Sequence, residues 1–357
     1  MNAFLNCGFG SDLLVTPEDS DWVFKNRGHG MLSAAASVGM VHLWDMDTGV
    51  NVVDKFSYSS HVQVKAGGLL ATGIISAGLT SNMDVALGLL EDHVEVDNKE
   101  NLSKAAAVLG LGIAYASSAR EDVLEVLTPL IVDDSQTFEV VALTCLSLGL
   151  VCVGTGNVDV AESIMESFLD TKESDLNDPL ARLMCLGMGL LFLGQGEKCD
   201  ATLLAARAVI EGPIIEYLYQ TVKTCAYAGT GSVVEIQELL KILSTKIEED
   251  EKEPLKGTHQ AIAVLGVAMT AMGDDLSTSM AFRSLDHILQ YGEVNVRRAV
   301  PLALGLLSIS NPSLSVVDTL SKLSHDSDEK ISQNSILALG LVSAGMSLYI
   351  HIDYQIQ

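Results

Sequence analysis

The sequence predicts an all-α protein, a curved stack of helical hairpins, and three observations lead there. Apolar segments centred on glycine recur along the chain, an amphipathic segment of helical spacing follows them, and the recurrence distance is 34 to 44 residues. That distance is one helix–turn–helix unit of a repeat protein. The 357 residues are 48% hydrophobic and 19% charged, enough to fill one large core or an elongated series of small ones. Thirty glycines against 7 prolines is a heavy load for helices, since glycine costs about 1 kcal/mol relative to alanine within one. The glycines therefore need a structural reason.

Aligning TCLSLGLVCVGTGN with MCLGMGLLFLGQGE places Gly149 on Gly189, Gly154 on Gly194 and Gly156 on Gly196. The same frame runs through Gly39, Gly73, Gly112, Gly305 and Gly340, with Thr224 and Ala268 at the two deviating positions, so about nine units follow one another. The first part of each unit is apolar nearly all round, the mark of a helix buried on every side. Its glycines allow close approach of neighbouring backbones, and the later glycines fall where a tight turn or left-handed cap ends the helix. In VDVAESIMESFLD, Ala161, Ile164, Met165, Phe168 and Leu169 then keep the i, i+3, i+4, i+7, i+8 spacing of a half-exposed helix. Stacked units give an inner layer of apolar helices and an outer layer whose polar faces meet solvent or partners.

Residues 1–28 read as a lead-in, 29–345 as the repeat array and 346–357 as a divergent tail, where apolar/polar alternation replaces the expected amphipathic helix. KIEEDEKEPLKG, 246–257, reads as an exposed charged insertion. The opening MNAFLNCGFGSDLL has neither the basic start nor the clean apolar run of a signal peptide. The 19 uncharged residues Val140 to Val158 are long enough to raise a membrane span, but their Gly, Thr, Ser and Asn content and the recurrence of shorter segments of the same design mark a buried helix and its turn.

A formal charge of −25 argues against nucleic acid, whose affinity comes from Lys and Arg neutralising phosphates, and suits basic protein partners. The six cysteines, Cys7, Cys145, Cys152, Cys185, Cys199 and Cys225, show no metal-ligand spacing and read as reduced, mostly buried thiols of an intracellular protein. No catalytic motif is present: no GxxxxGK[ST], HExxH, GxSxG or DxDxDG. No enzyme activity and no cofactor is expected. GTGNVD and GTGSVV resemble pieces of a phosphate loop, but they follow helices instead of strands and read as turns. SHDSDE, 324–329, reads as an Asp or Ser N-cap for the helix holding Ile331.

Two acidic features stand out. Asp159, Glu166 and Asp170 are spaced by 7 and 4 with Glu162 between, so they line one face of a helix carrying no Lys or Arg. Like charges at i, i+4 slightly destabilise their own helix, which is a reason to consider a docking face for a basic partner beside the simpler reading of a solvated face. In WDMDTG, Trp44 holds a turn position that other units give to Gly or Ser. It either packs under the loop or presents Asp47 to a partner, and spacing leaves both open.

The stretches NAFLNCGFG, HGMLSAAASVGM, WDMDTG, VLGLGIAYASSAREDVL, CAYAGTGSVVEIQELL, RRAVPLALGLLSISNP and DTLSKLSHDSD closely resemble the large non-ATPase scaffolds of the proteasome regulatory particle base, in the proteasome/cyclosome repeat family. The resemblance covers residues 2 to 345. It implies a toroid of helical hairpins in a cytoplasmic and nuclear protein that contacts the ATPase subunits and takes part in ubiquitin-dependent degradation. It also implies a receptor for ubiquitin chains and for the ubiquitin-like domains of shuttle factors, through acidic positions that fall here on Asp159, Glu166 and Asp170. A second family site, for the ubiquitin-like domain of a deubiquitinase, falls on Asp47. Family members are far longer, so an open arc is expected in place of a closed ring. The competing expectation is a truncated structural paralogue that has lost receptor function.

Overall fold

The computed structural model describes residues 2–17, 20–79, 84–95, 101–133, 135–210, 212–246 and 257–344. Most of the charged insertion and all of the divergent tail lie outside them. The chain divides into two compact units, residues 1–191 and 192–357.

The first unit contains, in order, α1 (Asn2–Leu5), α2 (Trp22–Lys25), α3 (His29–Val41), α4 (Met46–Ser57), α5 (Val62–Ile75), α6 (Val85–Glu95), α7 (Asn101–Ala114), α8 (Glu121–Leu127), α9 (Pro129–Val132), α10 (Phe138–Val151), α11 (Val158–Asp170), α12 (Glu173–Leu176) and α13 (Ala181–Leu191). The second contains a 3-10 turn at Gly196–Cys199, then α14 (Asp200–Val209), α15 (Ile214–Ala226), α16 (Val233–Ser244), α17 (Thr258–Ala271), α18 (Asp275–Tyr291), α19 (Val294–Leu307), α20 (Leu314–Leu323) and α21 (Glu329–Val342). Every regular element among the described residues is helical. Within the first unit α3, α5, α7, α10 and α13 pack in succession, and within the second α15, α17, α19 and α21 do the same. The intervening longer helices form the outer layer, so the hairpin repeat is as predicted.

The anchor glycines have a specific partner. Gly39 faces Ala71, Gly73 faces Gly110, Gly112 faces Ser147, Gly149 faces Gly187 and Gly305 faces Ala338. Each partner stands two residues before the anchor of the following repeat and is itself small. Helix backbones thus meet where a side chain on either would collide, and close packing of this kind offsets the helix-propensity cost of glycine. Where the anchor is Thr224 the relation is reversed. Gly266 supplies the space, and a Cβ there would lie 2.7 Å from the threonine hydroxyl. Two polar side chains in this layer find carbonyl partners: Thr144 donates to the Val140 carbonyl at 2.7 Å, and Ser147 reaches across helices to the Val108 carbonyl at 3.0 Å.

The later glycines of each repeat do more than end a helix. Gly154 and Gly156 have φ of 68° and 63°, and their N–H groups donate, both at 3.0 Å, to the carbonyls of Leu190 and Leu191 at the end of the next inner helix, α13. A helix end leaves carbonyls without partners, and here the preceding repeat supplies the donors. The same ladder joins Ser117 and Ala119 to Leu150 and Val151, and in the second unit Gly229 and Gly231 to Met269 and Thr270. Gly8 and Gly10 donate in the same way to Met40 and Val41, so residues 6–10 make the repeat turn inside the segment read as a lead-in. Ser117, Ala119, Trp44 and Ser310 hold left-handed φ without being glycine, a conformation costing roughly 1–2 kcal/mol in an L-residue.

The predicted core face of α11 needs one correction. Val160, Ala161, Ile164, Ser167 and Phe168 are buried, but Leu169 is 51% exposed. With 3.6 residues per turn the buried stripe centres on 160–164–168, which leaves Leu169 on its edge. Five cysteines are buried, Cys7 is half-buried, and all six are free. Burial pushes the Cys145 thiol up to about 12 and Cys225 to about 11. No helix of the described residues is long and apolar enough to cross a membrane; Val140–Val151 ends α10, and a turn follows it.

Candidate protein-docking site

The outer helix α11 starts from an asparagine. The Asn157 side-chain oxygen accepts the N–H groups of Asp159 and Val160 at 3.0 and 3.4 Å, the arrangement that satisfies the orphan donors of a helix start. The same segment, GTGN, holds its glycine N–H groups on the Leu190 and Leu191 carbonyls, so they do not point at an anion. GTGS behaves alike through Gly229 and Gly231. Asp328 is the N-cap of α21, accepting from the Lys330 N–H, as expected of SHDSDE.

Asp159, Glu162, Glu166 and Asp170 are all exposed. None of them enters an ion pair among the described residues. On a helix of 100° per residue, Asp159, Glu166 and Asp170 fall within about 40° of one another, and Glu162 lies about 60° to one side. The structure therefore keeps three of them in a narrow stripe with Glu162 flanking it.

Beside the stripe lies a groove of about 860 Å³ between α11 and the α8–α9 pair. Proline at position 129 has no N–H with which to continue α8, so the outer element of this repeat is two short helices with Thr128 at the break. The groove floor is apolar, formed by Leu124, Pro129, Val132 and Val160, and Val132 is 65% exposed. Its walls are acidic: Glu121, Glu125 and Asp133 on one side and Asp159 on the other. Sequence reasoning missed the opposite wall. Its signal was Glu121 and Glu125 at i, i+4, again a like-charge pair on one helix face.

The nearest cation in sequence is already engaged. Arg120 makes paired bonds to Asp84 at 2.6 and 2.9 Å, bonds Asp122 as well, and lies 5.0 Å from the centre of the Tyr115 ring. These bonds hold both carboxyl groups below their ordinary range. Asp133 is drawn down to about 2 by hydrogen bonds from the Gln136 side chain and from Ser135, so it stays anionic at neutral pH. Past the other end of the stripe, Asp170 shares a smaller cleft of about 160 Å³ with Asp133, Asp175 and Lys172.

Asp47 sits apart, in the first turn of α4, three repeats earlier than α11. Its neighbour Asp45 is the N-cap and accepts from the Thr48 N–H. Trp44 is 65% exposed, so it does not pack beneath a loop. Its backbone N–H donates to Ile75 and its indole N–H to Ala77, at 3.2 and 3.0 Å. The ring is thereby pinned over the next turn, one residue before the Asp45 cap, with Asp47 exposed in the helix that follows.

Similarity to known proteins agrees with this repeat geometry. Residues 106–140, which span the α7 hairpin into α10, match the proteasome/cyclosome repeat family. The chain is 42% identical over 97% of its length to the 26S proteasome regulatory subunit rpn-1 of Neurospora crassa, covering 38% of that protein. It is 42% identical over 97% of its length to the 26S proteasome non-ATPase regulatory subunit 2 of Dictyostelium discoideum, covering 37% of it. A homologue from Arabidopsis thaliana is 44% identical over the same share, with 38% of its own length covered. Over nearly its whole length the chain is homologous to part of the proteasome non-ATPase regulatory subunit 2. It spans less than two-fifths of the length of these relatives. In the stretch shared with these relatives, the glycine ladder and the acidic groove occupy successive repeats of one unit.

Proposed function

We propose that the chain is a non-catalytic scaffold and receptor segment of the proteasome regulatory particle base, acting in ubiquitin-dependent degradation in the cytoplasm and nucleus. Its α11 groove docks ubiquitin and the ubiquitin-like domains of shuttle factors, and its repeats contact the ATPase subunits. The observation carrying the receptor reading is the acidic stripe of α11 beside a groove with an apolar floor and a second acidic wall, none of the stripe carboxylates being answered by a cation. A folded partner presenting an apolar patch ringed by Lys and Arg complements it in both shape and charge. Asp159 lines the groove, Glu166 and Asp170 extend the anionic strip along α11, and Glu162 flanks it. Asp47, beside the pinned Trp44, is the second docking position, for the ubiquitin-like domain of a deubiquitinase.

The test is a two-dimensional NMR titration of labelled ubiquitin and of a shuttle-factor ubiquitin-like domain with the chain at low and physiological salt. Salt-sensitive shifts on the basic, apolar face of the partner, lost with Asp159→Lys or Glu166→Lys while helicity is kept, are expected. Shifts that survive both reversals would move the site off α11. No shifts from a well-folded chain would mean a scaffold piece without receptor function.

A further inference from the structure

The second unit holds a groove in the same architectural position as the acidic one, but with the opposite charge. It lies between outer helices of successive repeats, α16 and α18, and has a volume of about 540 Å³, within the range of sites that take several side chains. Leu240, Leu243 and Ile288 give it an apolar floor, and Lys246, Arg283 and His287 stand on its rim. All three rim residues are exposed, and none makes an ion pair among the described residues. Among the described residues of the lining the single carboxylate is Glu293. Asp286, also on α18, accepts a hydrogen bond from the Gln290 side chain at 3.2 Å.

Lys246, Arg283 and His287 enter no helix cap and no ion pair among the described residues. Lysine near a helix C-terminus often caps the last carbonyls, but Gln260 already does this for α16, donating to the Ile242 and Thr245 carbonyls at 3.0 and 2.7 Å. Arg283 and His287 are spaced i, i+4 on α18, an arrangement that gains the helix nothing and costs it slightly when the imidazole is charged. Among the described residues of this unit, Lys223 lies 2.9 Å from Glu235 and 2.7 Å from Glu238 and Arg298 lies 2.9 Å from Asp328, while Lys241, Arg297 and Lys330 enter no ion pair but do not line this groove. In a chain with 46 acidic residues and 21 Lys and Arg, a lysine, an arginine and a histidine around one apolar groove, none in an ion pair among the described residues, set it apart from the acidic groove of the first unit.

We propose that the α16–α18 groove docks an acidic peptide segment of a partner protein, one carrying aliphatic or aromatic anchors. The anchors fill the floor between Leu243 and Ile288, carboxylates pair with Arg283 and Lys246, and Tyr291, 75% exposed with its ring 4.9 Å from that of His287, closes one end over the anchor. The chain would then read basic partners through its first unit and acidic ones through its second.

The test uses the full chain and fluorescence anisotropy with three fluorescein-labelled peptides of about twelve residues, a usual length for groove-bound segments. One alternates Glu and Asp with Leu and Phe, one carries Lys in place of the acids, and one is acidic without apolar residues. Saturable binding is expected for the first alone, weakened by salt. It should fall about tenfold or more in the Lys246→Glu, Arg283→Glu variant, a loss of about 1.4 kcal/mol, and stay unchanged in Asp159→Lys. Circular dichroism checks the fold, and Lys246→Gln, Arg283→Gln gives a milder loss should the double reversal not fold. Equal binding of the lysine peptide, or acidic-peptide binding indifferent to the reversal, would overturn the proposal. So would binding that emerges only after residues 247–256 are replaced by a neutral Gly/Ser linker, because the acidic insertion of the chain itself would then be the occupant.

Discussion

Gly149 of α10 and Gly187 of α13 meet backbone to backbone: a Cβ on Gly149 would fall onto the Gly187 carbonyl and Cα. Neither helix can yield without losing the packing of its other neighbours, so the contact fixes the spacing of two successive repeats.

Gly149→Ala should therefore cost about 2–3 kcal/mol, the upper range for overpacking a filled core, despite the better helix propensity of alanine. Gly340 in α21 is the control, since a Cβ there meets nothing within 4 Å among the described residues. Gly340→Ala should gain about 0.5–1 kcal/mol. Urea unfolding of both variants measures the contrast.

Ala119 holds a φ of 50° in the turn after α7. Ala119→Gly should stabilise the chain by about 1 kcal/mol through relief of that conformation. Gly156→Ala, in the equivalent turn after α10, should lose a similar amount. Opposite shifts of the thermal midpoint by the two substitutions are the expected signature.

If the groove and not α11 alone binds the partner, Glu125→Lys on the opposite wall should weaken binding of a ubiquitin-like domain several-fold, the scale of a partly exposed interfacial charge. Loss confined to α11 variants in the same titration would restrict the site to the stripe.

Lys223 has a side chain 14% exposed, beside Glu235 at 13%. Burial works against its charge, but bonds to Glu238 and Glu235 outweigh burial and raise its pKa. Removing the cation strands a largely buried carboxylate, so Lys223→Met should cost about 2–3 kcal/mol, somewhat under the toll for a fully buried pair. The double variant Lys223→Met, Glu235→Gln should recover most of it.

Asp84 and Asp122 have folded-state pKa values lowered by Arg120. Such groups lend stability that is complete above their unfolded value of about 4 and is lost as pH falls through the lower folded values. The urea midpoint should fall below pH about 4, and more gently in Arg120→Gln, whose carboxylates titrate near their ordinary range. An unchanged slope in that variant would assign the acid sensitivity elsewhere.

The period of the repeat was legible because glycine in a helix is costly, so thirty of them demanded an explanation that only close packing and left-handed turns supply. What each anchor touches was not legible. The facing residue is Ala71, Gly110, Ser147, Gly187 or Ala338, and smallness alone does not single it out from other small residues on the same helix. The acidic stripe could be read from one helix, since 3.6 residues per turn places Asp159, Glu166 and Asp170 together. Its opposite wall could not, because Glu121 and Glu125 reach the groove only through the packing of a neighbouring repeat, and because Arg120, adjacent in sequence, looks available until its bonds to Asp84 and Asp122 are seen. Leu169 was assigned to the core since its spacing fits a wide apolar arc, whereas α11 buries a narrower one.

The turn ladder has a direction: among the described residues, where the backbone of a turn bonds a neighbouring repeat, it donates to the repeat that follows. The amides of Gly154 and Gly156 are tied to Leu190 and Leu191, so they are released to solvent deuterium only when α13 lifts away. Each turn is thus a local clock for the detachment of its successor, and exchange rates read along Gly10, Ala119 and Gly156 would time the peeling of the first unit repeat by repeat. A chain loosening from one end and a chain opening in the middle would leave different sequences of ticks.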